Sequence, residues 1–163
     1  MSARILSVDS FFIKGITTLL GEEFINESYI IVDLDFLNFS VEDLPQSTNK
    51  TIIGFASNDF SFYLAEKMKV DFVLNKKCPL TDIIDFFLFR RKKAIYHSKA
   101  SLTFREKQLL DLVCKGATPL DLARSLGVKT KTVYTFRRNV MIKLGCNNRI
   151  NLQQLWTGKT LGV

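Results

Sequence analysis

The amino-acid sequence predicts two domains, an N-terminal α/β unit with a mainly parallel sheet and a C-terminal all-α unit of four helices. Its 163 residues leave room for two small domains. Residues 1–97 carry 11 basic and 13 acidic side chains, whereas residues 98–163 carry 12 basic and 3 acidic ones. Twelve of the 14 phenylalanines lie in the first part. We therefore predict domains at 1–93 and 101–163, joined by a linker at 94–100.

The N-terminal unit alternates short apolar runs with helical patterns, an order typical of a parallel sheet. Buried strands are predicted from their continuous apolar, partly β-branched composition, and helices from their periodicity and end signals. A short apolar run at residues 4–8 comes first. The predicted strands are Tyr29–Asp33, Thr51–Ala56 and Asp71–Leu74, and the predicted helices are Phe11–Leu20, Asp59–Met68 and Leu80–Arg91.

Capping residues and glycines divide the C-terminal unit into four helices. Thr103 and Glu106 form a capping box at the start of the first helix, and Thr118 caps the second. These two helices and the third, which runs from about Thr130 to Leu144, each end at a glycine. A fourth begins at Asn147 or Asn148. Four short helices with a net charge of +9 indicate a helix-turn-helix unit.

The third helix separates an apolar stripe from an arc of polar and basic side chains. The stripe consists of Val133, Phe136, Val140 and Leu144, and the opposite arc of Lys131, Tyr134, Thr135, Arg138 and Ile142. Hydrogen-bond donors along one exposed arc suit the major groove of double-stranded DNA, where base edges offer acceptors. Residues 130–132, at the start of the helix, are expected to meet phosphate through side chains and backbone N–H groups.

Residues 101–158 resemble the LuxR/FixJ/NarL-type helix-turn-helix domain without a gap. The segments that carry the resemblance include Leu102–Glu106, Gly116–Ala123, Lys131–Tyr134 and Arg137–Cys146. It implies base contacts by Tyr134, Thr135 and Arg138. Together with the helix-start argument, it gives the following set of phosphate contacts: Thr130, Lys131, Thr132, Arg137 and Lys143. One departure is Lys129, which stands where a capping serine is usual.

Residues 1–93 more weakly resemble a response-regulator receiver, a truncated flavodoxin-like domain in this chain. Ile5–Asp9, Ile30–Asp33 and the Pro79–Ile83 segment carry the match. The resemblance implies a phosphoacceptor at Asp33 and a Mg²⁺ ion held by carboxylates. However, Ser10 stands where a second acid is usual.

Two further positions of the receiver pattern stay open. Ala56 or Ser57 fits the usual hydroxyl position, and Asn75 or Lys76 fits the usual lysine position. We expect a degenerate receiver that works without phosphorylation, and the alternative is control by phosphorylation of Asp33.

The spacing of the acidic residues predicts a shortened sheet. Only 24 positions separate Asp9 from Asp33, and the helix Phe11–Leu20 already takes ten of them. A crossover between parallel strands needs a dozen residues or more. The second strand of a receiver and its helix should therefore be missing, or reduced to a short strand near Phe24.

Aromatic residues outside the core stripes of two helices predict a subunit contact. On the last helix of this unit, the predicted core stripe is Leu80, Ile83, Ile84, Phe87 and Leu88. The predicted dimer surface consists of Phe62, Tyr63, Phe86 and Phe89, and the alternative is that these rings pack under a loop of their own unit. The partner would be a second copy or another response regulator.

Several classes of function lack a sequence signal. His97 is the single histidine, the three cysteines show no metal-ligand spacing, and there is no Gly-rich phosphate loop. We expect neither enzymatic activity nor a cofactor or metal. No signal peptide and no apolar run near about 18 residues occur, so a cytoplasmic protein without a membrane span is predicted. The sequence indicates a bacterial transcription regulator, or alternatively a module that modulates another regulator without binding DNA.

Overall fold

The computed structural model describes residues 4–35, 44–45, 48–114 and 116–145. The chain forms two compact units, Met1–Ser98 and Lys99–Val163. Their boundary falls within the segment predicted as the linker.

The N-terminal unit contains a four-stranded parallel sheet in the order β1-β2-β3-β4. Its strands are β1 (Ile5–Leu6), β2 (Tyr29–Asp33), β3 (Thr51–Ala56) and β4 (Phe72–Asn75). Its helices are α1 (Ser10–Leu20), α2 (Glu22–Ser28), α3 (Asp59–Lys67) and α4 (Leu80–Phe89), followed by a 3₁₀ turn at Lys92–Ala94.

Each face of this sheet packs against its own apolar cluster. Ile31, Ile53 and Phe55 on one face meet residues of α1, α2 and α4. Val32 and Ile52 on the other face meet Ala65 of α3, among others. Since β2 and β3 are covered on both sides, they read in the sequence as continuous apolar runs.

The sheet lacks a strand at the β1 edge, where the sequence predicts that the second strand of a receiver is missing. A complete flavodoxin-like sheet has the strand order 2-1-3-4-5, and the described residues place no strand outside β1. Residues 22–28 around Phe24 form the helix α2 instead of a short strand. The missing strand is therefore confirmed for the described residues, whereas the crossover does keep a second helix.

The C-terminal unit contains α5 (Phe104–Cys114), α6 (Pro119–Leu126) and α7 (Thr130–Leu144). The predicted cap of α5 is present, because Thr103 Oγ1 accepts from the Glu106 amide and Glu106 accepts from the Thr103 amide. Thr118 and Asp121 form the same reciprocal box on α6. The fourth predicted helix lies outside the described residues.

The predicted stripe of α4 is wrong at three positions. Phe86 is only 1% exposed and packs edge-on against Phe72 of β4, so it belongs to the core and not to a dimer surface. Leu80 and Leu88 are 63% and 59% exposed. Because α4 is apolar nearly all round, a 3.6-residue period fits either the predicted stripe or one that contains residues 83, 86 and 87. Contact with the sheet buries the second set.

The first residues of the predicted linker contact the N-terminal unit. Ala94 is buried, Ile95 forms an antiparallel bridge with Leu74, and the Tyr96 amide donates to the Val73 carbonyl. Residues 94–96 therefore pack on the N-terminal sheet, and the exact domain limits remain a prediction.

Candidate nucleic-acid interface and the polar cluster of the sheet

The helix α7 presents one polar and basic face to solvent. Tyr134 is 50% exposed, and Lys131, Thr135 and Arg138 are also exposed. Val133, Val140 and Leu144 are buried on the opposite side. The three residues predicted to contact bases, Tyr134, Thr135 and Arg138, therefore share an accessible face.

Packing on α5 and α6 holds α7 from behind. Leu109 of α5 and Leu122 of α6 are buried like the apolar side of α7. Arg105 ties the first two helices together, because its guanidinium donates to the Leu126 carbonyl at 2.7 Å. A packed support of this kind keeps the exposed face of α7 in a fixed orientation.

The first turn of α7 leaves its amide groups without a side-chain cap. Lys129 occupies the N-cap position and its side chain accepts no bond there. Thr130 and Lys131 are exposed, and Thr132 is half-buried. Because the N-terminal end of a helix favours an anion, these residues suit a phosphate contact.

Lys143 is exposed, but its ammonium group also has an acidic partner. Its Nζ is 2.7 Å from Oε2 of Glu106, whose side chain is 7% exposed. Burial raises the pKa of Glu106, but the hydrogen bonds from Lys143 and Thr103 outweigh it and bring the pKa below its usual value. The pair joins the end of α7 to the start of α5, so Lys143 has a structural partner.

Two other predicted residues are partly engaged within the helix. Burial lowers the pKa of Arg137 while the neighbouring Tyr134 opposes this shift, and the Arg137 side chain is half-buried. The Thr135 hydroxyl donates to the Lys131 carbonyl at 3.3 Å. Arg138 is the more accessible of the two arginines.

Ile142 extends the exposed face and is missing from the set of predicted contacts. It is 64% exposed and lies one and two helical turns beyond Arg138 and Tyr134, at a spacing of four residues. The sequence placed Ile142 on the outward arc but offered no reason to assign a contact to an aliphatic side chain.

A polar cluster lies at the carboxyl end of the N-terminal sheet. Asp33, at the end of β2, is fully buried, and its two carboxylate oxygens are 3.0 and 2.9 Å from Lys76 Nζ. The Ser7 hydroxyl donates to the same carboxylate at 2.8 Å. The buried charge of Asp33 is thus balanced by Lys76 and hydrogen-bonded by Ser7.

Asp35 extends this cluster towards α3. Its Oδ1 accepts from the Ser57 amide and from the Ser61 hydroxyl, and its Oδ2 is 3.9 Å from Lys76 Nζ. The lysine that faces Asp33 is therefore Lys76. Asn75 instead accepts from the Lys77 amide through its side chain.

The cluster does not fit the Mg²⁺ ion of a receiver. Asp9, the acidic residue that follows β1, caps α1 by accepting from the amides of Phe11 and Phe12. Ser10, the first residue of α1, supplies no carboxylate. Mg²⁺ prefers several oxygen ligands, and in the described part of the chain no group of three acidic, histidine or cysteine residues could hold a metal.

Comparison with known proteins agrees with the architecture. The family described as bacterial regulatory proteins, luxR family, matches residues 100–156. The uncharacterized response regulatory protein YgeK of Escherichia coli strain K12 is 40% identical over 68 residues, which are 42% of this chain and 45% of YgeK. The transcriptional regulatory protein UhpA of the same strain is 39% identical over 51 residues, or 31% and 26% of the two chains. The chain thus spans less than half the length of these relatives.

Solved structures share the fold of the whole chain. A structure of two RcsB dimers bound to two parallel DNAs has a TM-score of 0.53 at 17% identity, and the match covers 96% of this chain and 97% of that one. The RcsB–DNA complex of another structure gives 0.50, with the same identity and coverage. At this identity the likeness concerns the fold alone.

The shortened parallel sheet and the three packed helices thus give the fold of a receiver-like unit followed by a helix-turn-helix unit. The match to the luxR family of bacterial regulatory proteins falls on the helix-turn-helix unit. None of the described helices has the length and apolar composition of a membrane span.

Proposed function

We propose that this protein is a sequence-specific DNA-binding transcription regulator that acts as a dimer and without phosphorylation. The observation that carries the proposal is the outward face of α7, where Tyr134, Thr135 and Arg138 are accessible and the opposite side is buried. Chromosomal DNA as the partner places this function in the bacterial cytoplasm, and no catalytic step is involved.

The exposed residues of α7 divide into two roles. Tyr134, Thr135 and Arg138 contact base edges, which offer acceptors in the major groove. Thr130, Lys131, Thr132 and Arg137 contact the phosphate backbone. Because Lys143 is engaged by Glu106, we assign it to stability and not to DNA.

Ile142 adds an apolar contact on the same face. The thymine methyl group is the apolar feature that the major groove offers. An exposed isoleucine aligned with Tyr134 and Arg138 suits such a methyl group. Replacing one thymine of the site by uracil should therefore weaken wild-type binding and leave the Ile142→Ala variant less affected.

The polar cluster supports regulation without phosphorylation. Asp33 is fully buried beneath its contacts with Lys76 and Ser7, and Asp9 is used as a helix cap. A phosphodonor would have to displace these contacts without the second carboxylate that normally helps to hold Mg²⁺. We expect no mass increase after incubation with acetyl phosphate and Mg²⁺, and an adduct at Asp33 would support the alternative regulator.

The dimer surface that we propose differs from the predicted one. Leu80, Ile84 and Leu88 form an aliphatic row on α4, with both ends largely exposed, and Phe89 is 64% exposed beside it. Phe62 and Tyr63 are half-buried and pack against each other, and Phe62 also stacks on Tyr96. The α4 row therefore offers more accessible apolar surface.

A second copy fits this row in a two-fold arrangement. Copies related by a two-fold axis present the same row, Leu80, Ile84 and Leu88, to each other. RcsB, whose fold this chain shares, binds DNA as dimers in a solved structure.

The binding test begins with identification of the sites by genome-wide pull-down of DNA with the tagged protein. On such a site Arg138→Ala should weaken binding by about 1–3 kcal/mol and relax specificity at one position. Lys14→Ala is the matched control, because it removes one positive charge from the exposed side of α1. Equal binding by wild type and Arg138→Ala would refute the assignment of α7, and failure of the wild type to bind any DNA would favour the protein-interaction alternative.

The dimer test compares Leu88→Lys with Phe11→Lys, which replaces an exposed phenylalanine on α1. Sedimentation should show a dimer for the wild type and for Phe11→Lys, and a monomer for Leu88→Lys. A monomeric wild type that binds DNA only after addition of a second regulator would instead identify a heterodimer.

A further inference from the structure

The segment after α4 is anchored to the N-terminal unit by contacts on three sides. Ile95 bridges Leu74 in an antiparallel direction, and the Tyr96 amide donates to the Val73 carbonyl at 2.8 Å. Ile95 packs on the cluster of one face of the sheet and Tyr96 on the cluster of the other. This alternation is that of a short strand on the edge of β4.

The side chain of Tyr96 connects this edge to α3. Its hydroxyl donates to Oδ1 of Asp59 at 2.7 Å, and its ring stacks on Phe62 with 5.5 Å between centroids. Asp59 is the first residue of α3 and is only 8% exposed. Burial, followed by the hydrogen bond to Asp59, raises the pKa of Tyr96.

The same first turn of α3 is held by the polar cluster from its other side. Asp35 accepts from the Ser57 amide and from the Ser61 hydroxyl at 2.7 Å, and Ser61 also donates its amide to the capping Asn58. Asp35 in turn lies 3.9 Å from Lys76. Residues 57–61 therefore have the cluster as partner on one side and Tyr96 on the other.

We propose that residues 94–96 are a clasp that fixes the point at which the chain leaves the N-terminal unit, and that the Asp35 end of the polar cluster positions the α3 turn on which this clasp closes. In this proposal the polar cluster has a structural role, the positioning of the α3 turn, although it does not hold the Mg²⁺ ion of a receiver. The connector to the next unit starts after Tyr96 and is shorter than the predicted 94–100. Tyr96, Asp59 and Asp35 are positioning residues in this proposal.

Hydrogen exchange in the full chain tests the clasp directly. Tyr96→Phe keeps the stacked ring and removes the hydroxyl, so the Tyr96 amide should exchange about fivefold faster, as expected for the loss of one hydrogen bond. Tyr63→Phe is the matched control, since it removes a hydroxyl from the neighbouring tyrosine of α3 and should leave this amide unchanged. Amides of β3 report global stability and should exchange at the wild-type rate in both variants.

The role of the cluster is tested with Asp35→Asn against Asp9→Asn, which also removes a carboxylate charge but retains a residue able to cap α1. Exchange at Tyr96 should rise at least about twofold in Asp35→Asn and not in Asp9→Asn. Limited trypsin digestion should show faster cleavage after Lys92 and Lys93 in the same variants that exchange faster. An unchanged rate in Tyr96→Phe, or an equal rise in β3, overturns the clasp, and an unchanged rate in Asp35→Asn overturns the role of the cluster. None of these readouts depends on DNA binding.

Discussion

The two units use their positive charges in different ways. In the N-terminal unit Lys76 lies against the buried Asp33, and the Arg90 guanidinium lies 5.2–5.7 Å from the rings of Tyr29, Phe72 and Phe86. In the C-terminal unit Lys131 and Arg138 extend from the exposed face of α7.

This difference separates stability from binding. A cation that faces a buried carboxylate or aromatic rings contributes to the stability of its own unit. A cation on an exposed helix face contributes little to stability and remains accessible to phosphate. Lys143 differs from Lys131 and Arg138, because it lies in the same basic unit but has a buried acidic partner, Glu106.

The largest expected effect concerns Lys76. Lys76→Met leaves the fully buried Asp33 carboxylate without its ion-pair partner, and should lower the free energy of unfolding by about 3 kcal/mol. Urea unfolding measures this change. The double variant Asp33→Asn/Lys76→Met removes both charges and should be more stable than Lys76→Met alone. If the single and double variants are equally stable, the ion pair is not what Lys76 contributes.

A smaller effect is expected for Lys143. Lys143→Ala leaves Glu106 without its ion-pair partner and should cost about 2 kcal/mol of stability. The salt dependence of DNA binding, measured at a temperature where the variant is folded, should be the same as for the wild type. Lys131→Ala is the control, for which the slope should fall by about one unit. A reduced slope in Lys143→Ala would instead support the phosphate contact that the sequence predicts for Lys143.

The smallest effect is a pH dependence of the C-terminal unit. Because the pKa of Glu106 is lowered in the folded state, its contribution is present above the unfolded carboxyl pKa and is lost as the pH falls through the folded value. Calorimetric unfolding of the wild type and Glu106→Gln between pH 6 and pH 3 should therefore show a difference that shrinks at the acidic end. A constant difference would contradict the role of the ionised carboxylate.

Much of the fold follows from short-range signals. The bounds of β2, β3 and α7 agree with the predicted ones because β-branched runs, capping residues and glycines act locally. The outward face of α7 agrees as well, since its polar and apolar sides differ clearly in composition. The phase of α4 could not be predicted in this way, because nearly all its residues are apolar and only contact with the sheet distinguishes Phe86 from Leu88.

The candidate site was also predictable only as far as local sequence signals reach. Composition and spacing identified the basic α7, and the resemblance to a receiver pointed to Asp33 and to the altered acidic position at Ser10. They could not show that Lys143 pairs with Glu106, 37 positions earlier, or that Lys76 rather than Asn75 faces Asp33 across 43 positions. Such pairs depend on distances between elements that are remote along the chain.

The sequence by itself determined the two-unit organisation, the shortened sheet and the helix with a basic face. These properties are carried by composition, periodicity and the residues at element ends, which act within a few positions of each other. Only the tertiary structure decided which charges are paired, which apolar side of α4 is exposed and where the chain leaves the N-terminal sheet. Each of these depends on which surfaces are brought within contact distance, and burial then fixes whether a charge needs a partner.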